Sequence, residues 1–257
     1  METNIYLDAG HGGYDNGATY NGRKEKDDNL KLTQAVGKAL RDKGIMANFT
    51  RVNDVYQSPG EKAQIANEDM ADLFVSFHRS SSPVPNTYNG VEAYVYETGG
   101  DNEKLAKEIT NNLEEAGFKN LGVHVNKNLT VLKKTKMPAI LLDVGFVNTD
   151  SDNKIFDENF DKIVNAIVNA IIASLGRTEQ QVAEEGADYT IQVGLFRNPE
   201  NADNLVASLQ ADGYDAMIEP MGGYSAVLVG RFSNQEEAEK TEEKLQNAGY
   251  ETFLIER

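Results

Sequence analysis

The sequence predicts an α/β fold with a mostly parallel central sheet flanked by helices, followed by a small α+β module. Three observations carry this. Strand-like and helix-like patterns alternate along the first 175 residues, the order that β-α-β crossovers produce. The last third contains a gapless internal repeat at an offset of 36 residues. Between them lies "GRTEQQVAEEGA", residues 176–187, polar, acidic and without apolar periodicity, which reads as a linker. The expected division is therefore a first domain at 1–175, a linker at 176–187 and a second domain at 188–257.

In the first domain, short runs bounded by polar and glycine-rich stretches read as strands. They are "IYLDA" (5–9), "IMANFTR" (45–51), "DLFVSFH" (72–78), "VEAYVYE" (91–97), "LTVLK" (129–133) and "AILLDVGF" (139–146). Helical patterns fill residues 29–43, 60–70, 101–116 and 159–175. Open sheets of this kind place their ligands beyond the carboxyl ends of the strands. Three chemically loaded segments follow strands there: "DAGHGG", "SFHRSS" and "LLDVGF".

In the second domain, "VGLFRNPENADNLVASLQADGY" (193–214) aligns with "VGRFSNQEEAEKTEEKLQNAGY" (229–250). Each copy opens on an alternating strand, with Ile191 and Val193 on one face. Asn198 and Asn234 are expected helix N-caps, and Pro199 suits a first helical position. Ala202, Leu205, Val206 and Leu209 form an apolar stripe. Gly213 and Gly249 end the helices, and "YDAMIEP" and "YETFLIER" return as strands. The product is βαβ-βαβ, a four-stranded sheet backed by two helices. Two copies are too few for a solenoid.

Composition narrows the chemistry. A net charge of −16 without a basic cluster argues against nucleic acid and anionic membrane surfaces as partners. The chain has no cysteine, so any metal must be held by histidine and carboxylate. The opening "METNIYLDAG" runs directly into a strand pattern, without a basic n-region or an apolar h-region. The expectation is synthesis in the cytoplasm without a signal peptide. Of three histidines, His11 follows the first strand and His78 ends another. Glu25, in "NGRKEKDDN", would complete a His₂Glu set, the ligand type of a catalytic zinc with one open position. His124 stands in no comparable context and is expected to be a surface or structural residue. The glycines around His11 let the backbone turn sharply and keep bulk away from a metal. A phosphate cradle is the competing reading of "GHGG", but no Gly-Lys-Ser/Thr follows. Asp8 and Asp15 are both candidates to orient His11 through its second ring nitrogen.

The segments "LDAGHGGYDNGA", "NGRKEKDDNLKL", "FTRVNDVYQSPGEKAQIAN", "ADLFVSFHRSSSP", "GVEAYVYE" and "MPAILLDVGFVNTDSD" resemble, in this order, the zinc-dependent N-acetylmuramoyl-L-alanine amidases. The resemblance implies that His11, Glu25 and His78 are ligands of Zn²⁺. It places Asp143 at the position of the family's catalytic glutamate, where the shorter side chain is a departure. Lys62 where arginine is usual, and "SFHRSS" where "SIHAN" is typical, are lesser departures. The repeat is similar to the SPOR domain, a peptidoglycan-binding module of ferredoxin-like topology that prefers glycan strands stripped of stem peptides. Together they imply a sporulation-type autolysin or a phage endolysin, acting on the cell wall after release by lysis, a holin or a non-classical route. The implied reaction cuts the amide between N-acetylmuramic acid and L-alanine. The alternatives are a weak or inactive wall-binding homologue and a zinc hydrolase cutting within the stem peptide. For glycan contact the expected residues are Gln192, Tyr224, Leu228, Phe196 and Phe232.

Overall fold

The computed structural model describes residues 3–43, 45–176, 189–221 and 223–256. These divide into two compact units. The first begins with β1 (Ile5–Ala9), the short hairpin β2 (Thr19–Tyr20) and β3 (Arg23–Lys24), and α1 (Glu25–Arg41). It continues through β4 (Ala47–Phe49), α2 (Pro59–Glu68), β5 (Leu73–Ser80), β6 (Val91–Val95) and α3 (Asp101–Glu115). It ends with β7 (Asn120–Val125), α4 (Thr130–Lys134), β8 (Ala139–Phe146), α5 (Asp150–Glu158) and α6 (Phe160–Ser174). Six strands form one sheet in the order β4-β1-β5-β8-β6-β7. The pairs β4–β1, β1–β5, β5–β8 and β6–β7 are parallel, and only β6–β8 is antiparallel.

Every residue of β1 is buried, as in a strand covered on both faces. The parallel register joins Ala9 to Phe77 and His78 to Asp143. The carboxyl ends of β1, β5 and β8 therefore meet at one edge of the sheet, where a ligand is expected.

Two segments differ from the sequence reading. "LTVLK", expected as a strand, is helix α4 from Thr130. Leu132 breaks the two-residue alternation, and Leu129, Val131 and Leu132 instead pack on one cluster with Phe74 and Leu141. "NLGVHV" is strand β7, at the sheet edge, with no buried residue to mark it. The hairpin β2–β3 and helix α5 are also additions. Helix α1 starts at Glu25 rather than 29; its opening residues bury polar side chains, Glu25, Lys26, Asp28 and Asn29, which apolar periodicity does not register.

The second unit is β9 (Tyr189–Phe196), α7 (Pro199–Ala211), β10 (Ala216–Met221), β11 (Tyr224–Phe232), α8 (Gln235–Asn247) and β12 (Phe253–Glu256). Its sheet is antiparallel with order β10-β11-β9-β12, the ferredoxin-like arrangement. Asn198 Oδ1 accepts from the Glu200 amide and Asn234 Oδ1 from the Glu237 amide, so both expected caps form. Ile191, Val193, Ala202 and Leu209 share a core with Val227, Val229, Ala238 and Leu245. Of the expected linker, residues 177–187 lie outside the described residues.

Candidate active site

The site grows from the turn after β1. His11 adopts a left-handed conformation, φ 60°, and the Gly12 and Asp15 backbones pair beyond it. The glycines are required by close approach. A Cβ on Gly10 would lie 2.4 Å from His78 Cε1, and one on Gly17 would lie 2.5 Å from Glu25 Oε2 and 2.6 Å from His11 Cδ2. Buried cations anchor the turn from below. Lys62 Nζ donates to the Ala9 carbonyl at 2.6 Å and pairs with Asp8 at 2.8 Å. The Arg51 guanidinium donates to the carbonyls of Ala9, Gly10 and Lys26. Burial alone would raise the Asp8 carboxyl, but Lys62, Ser76 and Thr50 override it and hold it below the usual range.

Three donors converge above this turn. Glu25, the first residue of α1, sets Oε1 3.2 Å from His11 Nε2 and 3.0 Å from His78 Nδ1. One ligand atom from each residue lies within 4.8 Å of the others. Glu25 is fixed by the amides of Ala18 and Arg79 and by Asn29. The two rings stand edge to face, 4.9 Å between centroids. On the far side, His11 Nδ1 meets Asp15 Oδ2 at 2.8 Å. Asp15, and not Asp8, is therefore the residue that orients this imidazole. Burial lowers the His11 pKa, but Glu25 and Asp15 outweigh it and carry it up to about 9. Burial likewise opposes ionisation of Glu25, and the two histidines reverse that, taking its carboxyl well below the usual range.

Asp143 is the one position of β8 that is not buried. It opens into a cleft of about 340 Å³ lined also by His11, Glu25, His78 and Tyr94. Desolvation raises its pKa to about 7; His78 opposes this, while Glu25 and Glu92 add to it. Tyr94 is held protonated by burial and by the neighbouring Glu92 and Asp143 carboxylates. Its place in the cleft has no sequence signal beyond its strand. His124 stays outside the cluster on β7, its side chain 47 % exposed and 3.5 Å from Glu92.

In the second unit the expected glycan contacts separate. Gln192, Phe196 and Tyr224 keep exposed surface, and Arg197 donates to the Tyr224 hydroxyl. Leu228 is fully buried and Phe232 belongs to the core, so neither presents a surface to sugar. The repeated Gly-x-Phe has a packing cause: a Cβ on Gly194 or Gly230 would lie 2.5 or 2.3 Å from the ring of Phe196 or Phe232. Each ring lies over its own glycine.

Comparison with known proteins follows the same division. Residues 5–173 match the N-acetylmuramoyl-L-alanine amidase family and residues 185–256 match the SPOR domain. The sporulation-specific N-acetylmuramoyl-L-alanine amidase of Bacillus subtilis is 31 % identical over 228 residues, covering 83 % of this chain and 83 % of the relative. An endolysin of Bacillus phage SPP1 is 36 % identical over 159 residues, 60 % of this chain and 57 % of that one. The crystal structure of an N-acetylmuramoyl-L-alanine amidase from Clostridium difficile 630 superposes with a TM-score of 0.64 at 30 % identity, covering 68 % of this chain and 97 % of that one. The chain belongs to the N-acetylmuramoyl-L-alanine amidase family, hydrolases of the bond between N-acetylmuramic acid and L-alanine in peptidoglycan, and carries a glycan-binding SPOR domain.

Proposed function

We infer that the amidase is zinc-dependent, with His11, Glu25 and His78 as ligands and Asp143 as general base. The observation that carries this reading is the convergence of three donors on one point, with a further carboxylate opening into the same cleft. Two imidazole nitrogens and one carboxylate oxygen suit a catalytic zinc that keeps an open position. Zinc held there supplies a Lewis acid that polarises the amide carbonyl and acidifies water. Asp143 takes the proton from the attacking water and returns it to the leaving L-alanine nitrogen. Tyr94, protonated, offers a hydroxyl to the substrate in the same cleft. The test is metal analysis of the purified protein with identification of the termini released from muropeptides. One zinc per chain and a free L-alanine amine support the reading. A free amine deeper in the peptide points to a stem-peptide hydrolase, and no product points to a wall-binding protein.

Two results are expected from the ligand surroundings. Asp15→Ala should weaken zinc retention or turnover by about 10–100-fold, the usual effect of removing a histidine-orienting carboxylate. Wild-type zinc content and rate in this variant would remove Asp15 from the site. The second concerns protons. With a pKa of about 9, His11 is protonated at neutral pH in the metal-free protein, and a metal must displace that proton. Zinc affinity should therefore rise from pH 7 to pH 9, with a proton released on binding at pH 7. Calorimetry in buffers of different ionisation enthalpy checks both.

The C-terminal unit brings the enzyme to glycan, through the partly exposed Gln192 and Tyr224, while Phe196 packs against the core. A fragment of residues 187–257 should pull down on purified sacculi, and better after those sacculi are treated with an amidase. Equal or weaker binding to the treated sacculi would reject a preference for glycan stripped of peptide. The −16 charge makes recognition depend on hydrogen bonding and stacking, so added salt should weaken it only modestly.

A further inference from the structure

Arg79 follows a proposed zinc ligand in sequence and lines the same cleft, yet its guanidinium is spent on protein partners. Its side chain is 1 % exposed and pairs through Nη1 with Asp28 at 2.6 Å. Nε donates to the Val144 carbonyl at 3.0 Å and Nη2 to the Phe146 carbonyl at 3.4 Å. Its Cζ sits 4.5 Å from the Phe156 ring centroid. Its own amide donates to Glu25 Oε1 at 3.1 Å. One residue thus touches helix α1, the carboxylate between the two histidines and the end of β8.

The two carbonyls it holds flank Gly145, whose φ is +79°. Here the β5–β8 register slips: His78 pairs with Asp143 and Ser80 with Phe146, two steps on β5 against three on β8. This is a bulge, a device that re-aims a neighbouring side chain and that is frequent beside active sites. Asp143 is the last residue in register before it. An aspartate has a short reach, so where its oxygens lie is set by the backbone of β8 rather than by its own rotamers. That backbone is gripped by Arg79 on one side and by Asp152, which accepts from the Phe146 amide at 2.8 Å, on the other.

We propose that Arg79 is a positioning residue for the amidase reaction: its fork on the Val144 and Phe146 carbonyls fixes the β8 bulge so that the Asp143 carboxylate is aimed into the cleft. The proposal rests on the reading of Asp143 as the general base. Lysine cannot span both carbonyls while pairing with Asp28, because it carries a single ammonium in place of the planar fork. Arg79→Lys keeps the buried charge opposite Asp28, so the fold survives, whereas Arg79→Ala also removes that charge.

The experiment uses the full chain. Arg79→Lys is expected to keep the zinc content and hold KM within about threefold. It is expected to lower kcat by up to about 10²-fold, the scale of a misplacement near 1 Å. Hydrogen exchange of the peptide 139–147 should quicken in the metal-free variant, which reports the bulge without reference to activity. In an Asp143→Glu background the longer side chain relaxes the demand on β8, so the kcat loss caused by Arg79→Lys should shrink; two independent effects would multiply. Wild-type kcat in Arg79→Lys, or an equal loss in both backgrounds, overturns the proposal. Asp143→Ala is the control: if it keeps wild-type turnover, the general-base reading itself fails, a result distinct from failure of Arg79 alone.

Discussion

His78→Ala is expected to leave the fold in place, lose zinc and abolish amidase turnover. His78 contributes a ring that meets Glu25 Oε1 at 3.0 Å and sits towards the carboxyl end of β5, where the neighbouring strands do not depend on it. Its removal takes away one of three donors, and two donors rarely hold zinc in a catalytic site. Since loss of an orienting partner alone costs about 10–100-fold, loss of a ligand should exceed that range. His11→Ala should behave in the same way. Glu25→Ala should add a stability defect, because the Ala18 and Arg79 amides and Asn29 all donate to that carboxylate. His124→Ala, at an exposed place on β7, should change neither zinc nor rate. A zinc-replete, fully active His78→Ala protein would sink the metal assignment, and a large zinc loss in His124→Ala would mean that the wrong histidines are paired.

Much of this site is legible in the amino-acid sequence because its parts obey simple rules. His11 and His78 each follow an apolar run, and parallel strands bring such ends to one edge. The glycines around His11 announce close approach, and its cause lies in the distances from Gly10 and Gly17 to the imidazoles and to Glu25. The second unit is legible for another reason: a repeat states the same packing solution twice, so Ile191, Val193 and the two asparagine caps can be placed directly. What escapes a sequence reading is polar burial and edge position. Periodicity counts apolar residues, so it misses the first turn of α1, which buries Glu25, Lys26, Asp28 and Asn29. Strand β7 has no fully buried residue and leaves no pattern strong enough to read. The repeated phenylalanines suggest sugar stacking, while what the repeat keeps is a ring-over-glycine contact that exists for packing. Sequence rules fail where the chain gives up local regularity to build a site, or where an element has little core to face.

Asp143→Ala is expected to keep zinc and glycan binding and to lose amidase turnover by about 10²–10⁴-fold, the range for removing a general acid–base group. The residue occupies the single unburied position of β8, an otherwise apolar strand. Its pKa, raised to about 7 first by desolvation, suits a group that must accept a proton and then release it near neutrality. A bound dication pulls that value down, so the acid limb of kcat/KM should fall at or below about pH 7 and disappear in Asp143→Ala. The same shift has a stability consequence with a definite sign. A carboxyl whose pKa is higher in the fold than in the unfolded chain costs stability only where it is ionised, and the cost grows as pH rises from about 4 through 7. Metal-free Asp143→Asn should therefore gain on the parent protein over that interval, with little difference at pH 4; a gain that is the same at every pH would mean the shift is absent. Asp143→Glu then asks how the site is built. The longer side chain reaches roughly 1.5 Å farther, enough to change rate on the order of 10²-fold in either direction. A rise means that the aspartate works at a distance from its water. A fall means that the backbone around Gly145 is set for the shorter carboxylate. Wild-type turnover in Asp143→Ala would place the base on another residue.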